Sequence, residues 1–241
     1  MIEELAKRER VPARIAKGEL DGKMKARVWK KLHREEAERF HQAYELMGKN
    51  PHLGLQEAFG VLQSGLPVDD FLKRRARTKK KEEVKVARGS VKGDEIDAFL
   101  GRLKEKADEL IVVLAERTLL DTLTDVKPVA LVLKGHGDLE KLQVVAVTRR
   151  ANWDAISPTL ERDPKLSQKP ASVAREPVRR PVSDPRPFLP LVGKPVKISL
   201  RNGVALKLPL RAVGPFDVVV GNDEESSFFV PLHAMVAWEA A

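Results

Sequence analysis

From Gly193 to Trp238, apolar residues recur at every second position. Val196, Ile198 and Leu200 alternate with Lys197, Ser199 and Arg201, the pattern of a strand with one buried face. Asn202-Gly203 follows, and this pair between alternating apolar runs is a strong hairpin signal because both residues tolerate positive φ. Val204, Leu206, Leu208 and Leu210 alternate again, Gly214-Pro215 bends the chain, and Phe216, Val218 and Val220 predict a third strand. A polar, acidic turn over residues 221–226 leads to two last short strands, Phe228 to Val230 and Met235 to Trp238, separated by Pro231-Leu232-His233. Five strands this short predict a small, strongly bent β-barrel over residues 191–241.

Upstream the period changes. Val28, Leu32, Ala37, Phe40, Ala43, Tyr44 and Met47 predict a helix over Lys23 to Met47, with Trp29, Phe40, Tyr44, Phe59 and Phe71 as core. Leu55 to Leu62 and a helix starting at Val68 follow, so residues 1–92 read as a helical domain. Ile96, Phe99, Leu100, Leu103, Ala107, Leu110, Val113, Leu114 and Leu120 extend one apolar stripe and predict a helix over Asp94 to Thr122. A β-hairpin is expected next, Val129 to Leu133 and Leu142 to Thr148, turning at Gly135-His136-Gly137-Asp138. Together these make residues 93–156 a small α+β unit. Lys127 to Lys134 also echoes Lys194 to Arg201, which opens the alternative of a second, degenerate barrel; the lone α+β unit is the reading adopted. Ser157 to Pro190 holds eight prolines and reads as an extended Pro/Arg-rich linker, residues 157–190. The fold class expected is α+β multidomain.

Composition sharpens the functional picture through the placement of charge. The chain carries a formal net charge of +9. Residues 1–92 hold 23 Lys and Arg against 14 Asp and Glu, and residues 93–241 hold 21 of each. The excess is thus confined to the helical domain, where Arg74, Arg75, Arg77, Lys79, Lys80 and Lys81 cluster. A concentrated basic region favours a polyanion, of which nucleic acid is the commonest; such runs bind phosphates without reading sequence. There is no cysteine, which excludes disulfides and cysteine-ligated zinc. The start, MIEELAKRER, is charged, and no stretch approaches the roughly 18 apolar residues of a membrane span, so a soluble cytoplasmic protein is expected. No HExxH, GxSxG, Walker A or dinucleotide fingerprint occurs. Adjacent acidic pairs such as Asp69-Asp70 point apart, so neither an enzyme nor a metal or cofactor site is expected.

The C-terminal stretch resembles the Hfq and Sm-like family. Gly193-Lys194-Pro195-Val196-Lys197-Ile198, Leu200-Arg201-Asn202-Gly203, Phe216 to Val220 and Leu232-His233-Ala234 follow that family's order and spacing over about a fifth of the chain. The resemblance implies an oligomeric RNA-binding protein, an RNA chaperone or post-transcriptional regulator. It also implies base contacts by Phe216, at the family's aromatic position, and His233, at its histidine. Lys197, Arg201 and Lys207 complete the candidates in this region. The pattern departs from the family at Leu232, Pro215, Ser199 and Lys207, and Pro231 falls where the family's fourth strand meets a neighbouring subunit, removing an amide donor there. Two other readings stand beside RNA binding. One is an oligomeric scaffold with a degenerate Sm-like domain. The other is a regulator of duplex DNA using helices joined by the Gly65-Leu66-Pro67 turn as a helix-turn-helix.

Overall fold

The computed structural model describes all of residues 1–241. The chain divides into two compact units, Met1–Thr78 and Lys79–Ala241. The first is helical: α1 (Ile2–Glu9), α2 (Ala13–Leu20), α3 (Ala26–Leu32), α4 (Arg34–Lys49), α5 (Leu55–Ser64) and the start of α6 (Val68–Gly89). The single helix expected over Lys23 to Met47 is broken at His33, whose φ of −122° and ψ of 59° interrupt the ladder. Trp29 is only 2% exposed. It meets Phe40 edge-on at 6.2 Å, and Phe40 meets Phe59 at 4.9 Å. Trp29 is core, as its spacing predicts, while Phe40 and Phe59 are half-buried at its margin. Edge-to-face contact of this kind aligns the positive rim of one ring with the negative face of another.

In the second unit α7 (Asp94–Glu105) is followed by β1 (Glu109–Val113), β2 (Thr118–Val126), β3 (Ala130–Leu133), β4 (Gly137–Glu140) and β5 (Ala146–Arg149). The helix expected to reach Thr122 stops at Glu105. Ala107 takes a φ of +49°, a left-handed conformation that ends a right-handed helix, and the run Ile111-Val112-Val113 is β-branched and suits a strand. The hairpin expected between residues 129–133 and 142–148 is shorter: β3 pairs with β4, while β5 pairs with β1. Next come α8 (Arg150–Ile156), β6 (Glu161–Arg162) and α9 (Pro164–Gln168). The Pro/Arg-rich stretch does not run free of the fold. β6 pairs with β8, and Val178, Val182 and Phe188 are buried. The chain ends with β7 (Pro195–Leu200), β8 (Val204–Val213), β9 (Asp217–Gly221), β10 (Ser227–Pro231) and β11 (Met235–Ala240).

The expected five-stranded, Sm-like barrel does not form. All eleven strands join one open antiparallel sheet, in the order β11-β7-β8-β9-β10-β5-β1-β2-β3-β4, with β6 beside β8. The five strands are present in the expected sequence, but β10 does not close onto β11. Its free edge is taken by β5, with Phe228 opposite Thr148 and Phe229 opposite Val147. The backbone groups that closure would have satisfied are satisfied instead by the preceding unit, so the expected α+β middle unit and C-terminal barrel are one sheet.

The sheet is a tandem repeat. In the first half the order is β5-β1-β2-β3-β4, and in the second β11-β7-β8-β9-β10. The registers agree pair by pair. Val113 faces Ala146 in one half and Ser199 faces Ala237 in the other. A register shift interrupts β2 between Leu123 and Asp125, and one interrupts β8 at the equivalent place, between Leu210 and Ala212. Ala130 faces Glu140 as Asp217 faces Pro231. A short 3-10 turn precedes the last strand of each half, Lys141–Gln143 and Leu232–Ala234. The echo anticipated in the sequence therefore exists, in a different register: residues 127–134 correspond to residues 214–221, not to 194–201, and Pro128-Val129 matches Pro215-Phe216.

Alternating side chains along the strands serve two cores, one on each face. Phe228 packs with Val196, Ile198, Leu206 and Phe188; Phe229 packs with Phe99, Leu103, Leu110 and Val147. The Asn202-Gly203 turn forms as predicted, with Gly203 at a φ of +87°. A Cβ there would lie 2.7 Å from the Asp163 carbonyl oxygen and 2.9 Å from the Ser167 amide nitrogen. Gly203→Ala is thus expected to cost more than the ~1–2 kcal/mol of a left-handed backbone alone, because α9 must also move. Urea unfolding of the variant checks this, and a loss below that range would contradict the close approach.

Candidate nucleic-acid interface

The basic cluster lies on α6. From Lys73 to Glu83 every residue is exposed, so the segment buries nothing on any side. At about 100° per residue, its cations point all around the helix instead of forming one stripe. Lys73 is near Asp70 at 3.9 Å, Arg75 pairs with Glu57 at 2.7 Å, and Lys79 is near Glu83 at 4.0 Å. Arg74, Arg77, Lys80 and Lys81 have no acidic partner within ion-pair distance. Such exposed pairs contribute little, and the net field of the segment stays positive.

Four residues after Val84, where α6 begins to bury one face, Arg88 turns inward. Its Nε donates to the Ser183 carbonyl oxygen at 3.2 Å, and its guanidinium sits 5.0 Å from the centre of the Phe216 ring. Phe216 is 57% exposed. Its ring lies just outside β9, because Gly214-Pro215 turns the chain there. The Gly214 amide donates to the Asp217 carbonyl at 2.8 Å, and the Leu232 amide donates to the Phe216 carbonyl at 2.8 Å. The backbone is therefore pinned on both sides of a solvent-facing ring. Burial, and then the neighbouring Arg180, lower the pKa of Arg88, with Asp184 opposing. Arg186 forks onto Asp184, Nη2 to Oδ2 at 2.6 Å and Nε to Oδ1 at 3.0 Å, and this holds the Asp184 carboxyl below its ordinary range. Arg88 thus lies over one exposed aromatic ring and feels the charges of Arg180 and Asp184. A guanidinium over a ring face is a favourable cation–π arrangement, and the same pair of groups is what nucleobases stack on.

The other strand candidates are placed differently. Arg201 is only 8% exposed, and its Nη2 donates to the carbonyls of Gln143 at 2.7 Å and Leu142 at 3.4 Å. It ties the second repeat to the 3-10 turn of the first. His233 does the same: its Nε2 lies 3.2 Å from the Val144 carbonyl oxygen, which can only accept, so this nitrogen carries the proton. Burial, followed by the fields of Arg180 and Arg201, pushes the His233 pKa down to about 4, so the imidazole is neutral at physiological pH. Lys197 pairs with Glu161 at 3.0 Å and stands directly opposite Lys207 in the β7–β8 register. Two facing lysines repel, and the Glu161 carboxylate, paired with Lys197, also feels the charge of Lys207. Lys207 remains exposed.

Of the sequence candidates, the structure brings Lys197 together with Lys207, and Arg201 together with His233. It brings neither pair to Phe216. The partner of the Phe216 ring is Arg88, from the end of a charged helix, and Arg88 is in turn held by the Ser183 carbonyl of the Pro-rich stretch. The visible signal for that stretch was its arginine content; nothing local indicated which arginine meets the ring. An open cavity of about 610 Å³ lies between the equivalent turns of the two repeats, lined by Glu116, Arg117, Trp153, Arg162, Gln168 and Asn202 among others. No helix is long and apolar enough to cross a membrane. No protein-family model, no curated protein and no solved structure matches this chain.

Proposed function

We propose that the chain binds single-stranded RNA, with Phe216 and Arg88 as a stacking platform and the lysines of α6 as the phosphate contacts. The observation that carries this reading is the pinned, 57% exposed Phe216 ring under Arg88, on the helix whose preceding turns carry Lys79, Lys80 and Lys81. Aromatic and guanidinium planes accept unstacked bases, and the single-stranded loops and ends of RNA present such bases. A duplex hides its base faces, so it would use the cations alone. The role supported is an RNA-binding regulator or chaperone whose contacts lie off the β7–β11 sheet face.

The test measures binding of the full chain to a uridine-rich RNA, the matching single-stranded DNA and a duplex DNA across a range of salt. RNA is expected to bind best. Replacing Lys79, Lys80 and Lys81 with Gln together is expected to lower the slope of log K against log salt by about 2, near 0.7 per lost phosphate contact. Phe216→Ala is expected to weaken binding by about tenfold, for a loss of about 1–3 kcal/mol of stacking per base, with the salt slope unchanged. Equal affinity for the single-stranded DNA, or duplex preference abolished by neutralising Arg74, Arg75 and Arg77, would replace this reading with a DNA-binding one.

A further inference from the structure

The tandem repeat leaves two strand edges without partners, and the molecule itself shows how such edges join. Within the chain the halves meet where the fourth strand of the second repeat, β10, pairs antiparallel with the fifth strand of the first, β5. At the two ends of the sheet lie the corresponding unpaired strands: β4, the fourth strand of the first repeat, and β11, the fifth of the second. We infer that copies of this chain assemble head to tail, β4 of one copy pairing antiparallel with β11 of the next, so that the internal junction recurs between molecules.

The repeat fixes the register. Phe228 corresponds to Gly137 and Phe229 to Asp138, because Val230 and Leu139 occupy equivalent pairs with Val218 and Leu131. Thr148 corresponds to Glu239 and Val147 to Trp238, because they face the equivalent residues Ile111 and Lys197, and Val112 and Ile198. Phe228 faces Thr148 and Phe229 faces Val147 across the internal junction, so Gly137 is placed opposite Glu239 and Asp138 opposite Trp238 of the next copy.

The edges suit this partner. Neither β4 nor β11 contains the proline or lysine with which exposed edges are commonly blocked. Proline at the end of β10, Pro231, corresponds to Glu140 in β4, which keeps its amide donor. Both acidic residues at the seam already have a cation: Asp138 pairs with Lys127 at 2.6 Å, and Glu239 faces Lys197 on β7. Because the two joined surfaces differ, the contact is heterologous and either closes a ring or propagates as a filament. This inference rests on strand geometry and is independent of RNA binding.

The chain has no cysteine, so a full-length Gly137→Cys, Glu239→Cys double variant reports the contact directly. Gly137 has a φ of +68°, where a side chain adds backbone strain, and a thermal melt of the Gly137→Cys single variant shows that it still folds. Facing residues of an antiparallel pair lie about 4.5–5.5 Å apart at Cα, within reach of a disulfide. Under mild oxidation, denaturing non-reducing electrophoresis is expected to show a ladder beyond the dimer, while each single-cysteine variant stops at a dimer. The off-register pair Gly137→Cys, Val236→Cys is expected to cross-link far less. Light scattering of the unmodified chain is expected to give a mass above the 26.9 kDa of one copy. A single-copy mass at the highest concentration the protein tolerates would overturn the inference. Larger assemblies that cross-link no better in register than out of it would overturn the β4–β11 pairing.

Discussion

Phe229→Ala is expected to destabilise the sheet unit by about 3–5 kcal/mol, the range for truncating a fully buried phenylalanine. Phe229 is 0% exposed. It stands opposite Val219 on one side and Val147 on the other, at the seam of the two repeats. Its ring packs with Phe99 and Leu103 of α7 and with Leu110 of β1, so truncation opens a void where four elements meet. The repeat supplies the control. The residue in the same register in the first half is Asp138, at the free edge, where its partner is Lys127. Asp138→Ala is expected to cost under about 1 kcal/mol, as exposed ion pairs do. Urea unfolding followed by circular dichroism compares the two. Equal costs would mean that the seam is not packed as described.

Stability is expected to carry two opposed pH dependences between pH 4 and 6, each unmasked by removing the other. Burial pushes the Asp217 pKa up to about 6; Lys141 opposes the shift and Asp97 adds to it. The folded carboxyl holds its proton more tightly than the unfolded one, so stability falls as pH rises from the ordinary value of 3.8 through 6. Full ionisation costs at most about 3 kcal/mol, at 1.36 kcal/mol per pKa unit. His233 works in the other sense. Its folded pKa, about 4, lies below the ordinary 6.5, so the unfolded state takes the proton first and stability falls as pH drops through that interval. Asp217→Asn is therefore expected to stabilise the protein above pH 6 and to leave a profile that declines toward acid. His233→Leu, which installs the residue found at the equivalent position of the first repeat, Leu142, is expected to stabilise it near pH 4 and leave the reverse profile. Thermal melts of both variants across this range read the slopes. Parallel profiles in the two variants would sink the assignment.

Much of the fold was legible along the chain. The alternation at Val196, Ile198 and Leu200, the Asn202-Gly203 turn and the aromatic spacing in α3 to α5 each follow from local rules, since strand period, positive φ and helix period are properties of neighbouring residues. The stripe from Ile96 to Leu120 misled because a helix ending at Glu105 and a strand starting at Glu109 share one continuous apolar pattern, and only three residues, with the left-handed Ala107 at their centre, separate them. The candidate site was legible in part. Exposure of the Lys73 to Lys81 run follows from its composition. Arg201 and His233 look like surface cations in sequence and are instead buried ties between repeats, because their acceptors, the carbonyls of residues 142–144, are more than fifty residues away.

By itself the sequence determined the strands of the C-terminal half, the Asn202-Gly203 turn and the concentration of positive charge on one helix, all set by contacts short in sequence. Only the tertiary structure decided what the outer edge of β10 meets. A strand edge is a row of donors and acceptors carried by the backbone, identical for every residue except proline, so side-chain pattern does not encode its partner. The same is true of Phe216. Its place after Gly214-Pro215 is written in the sequence, but whether the ring closes a core or faces solvent beside Arg88 depends on the open sheet into which β9 and β10 are drawn.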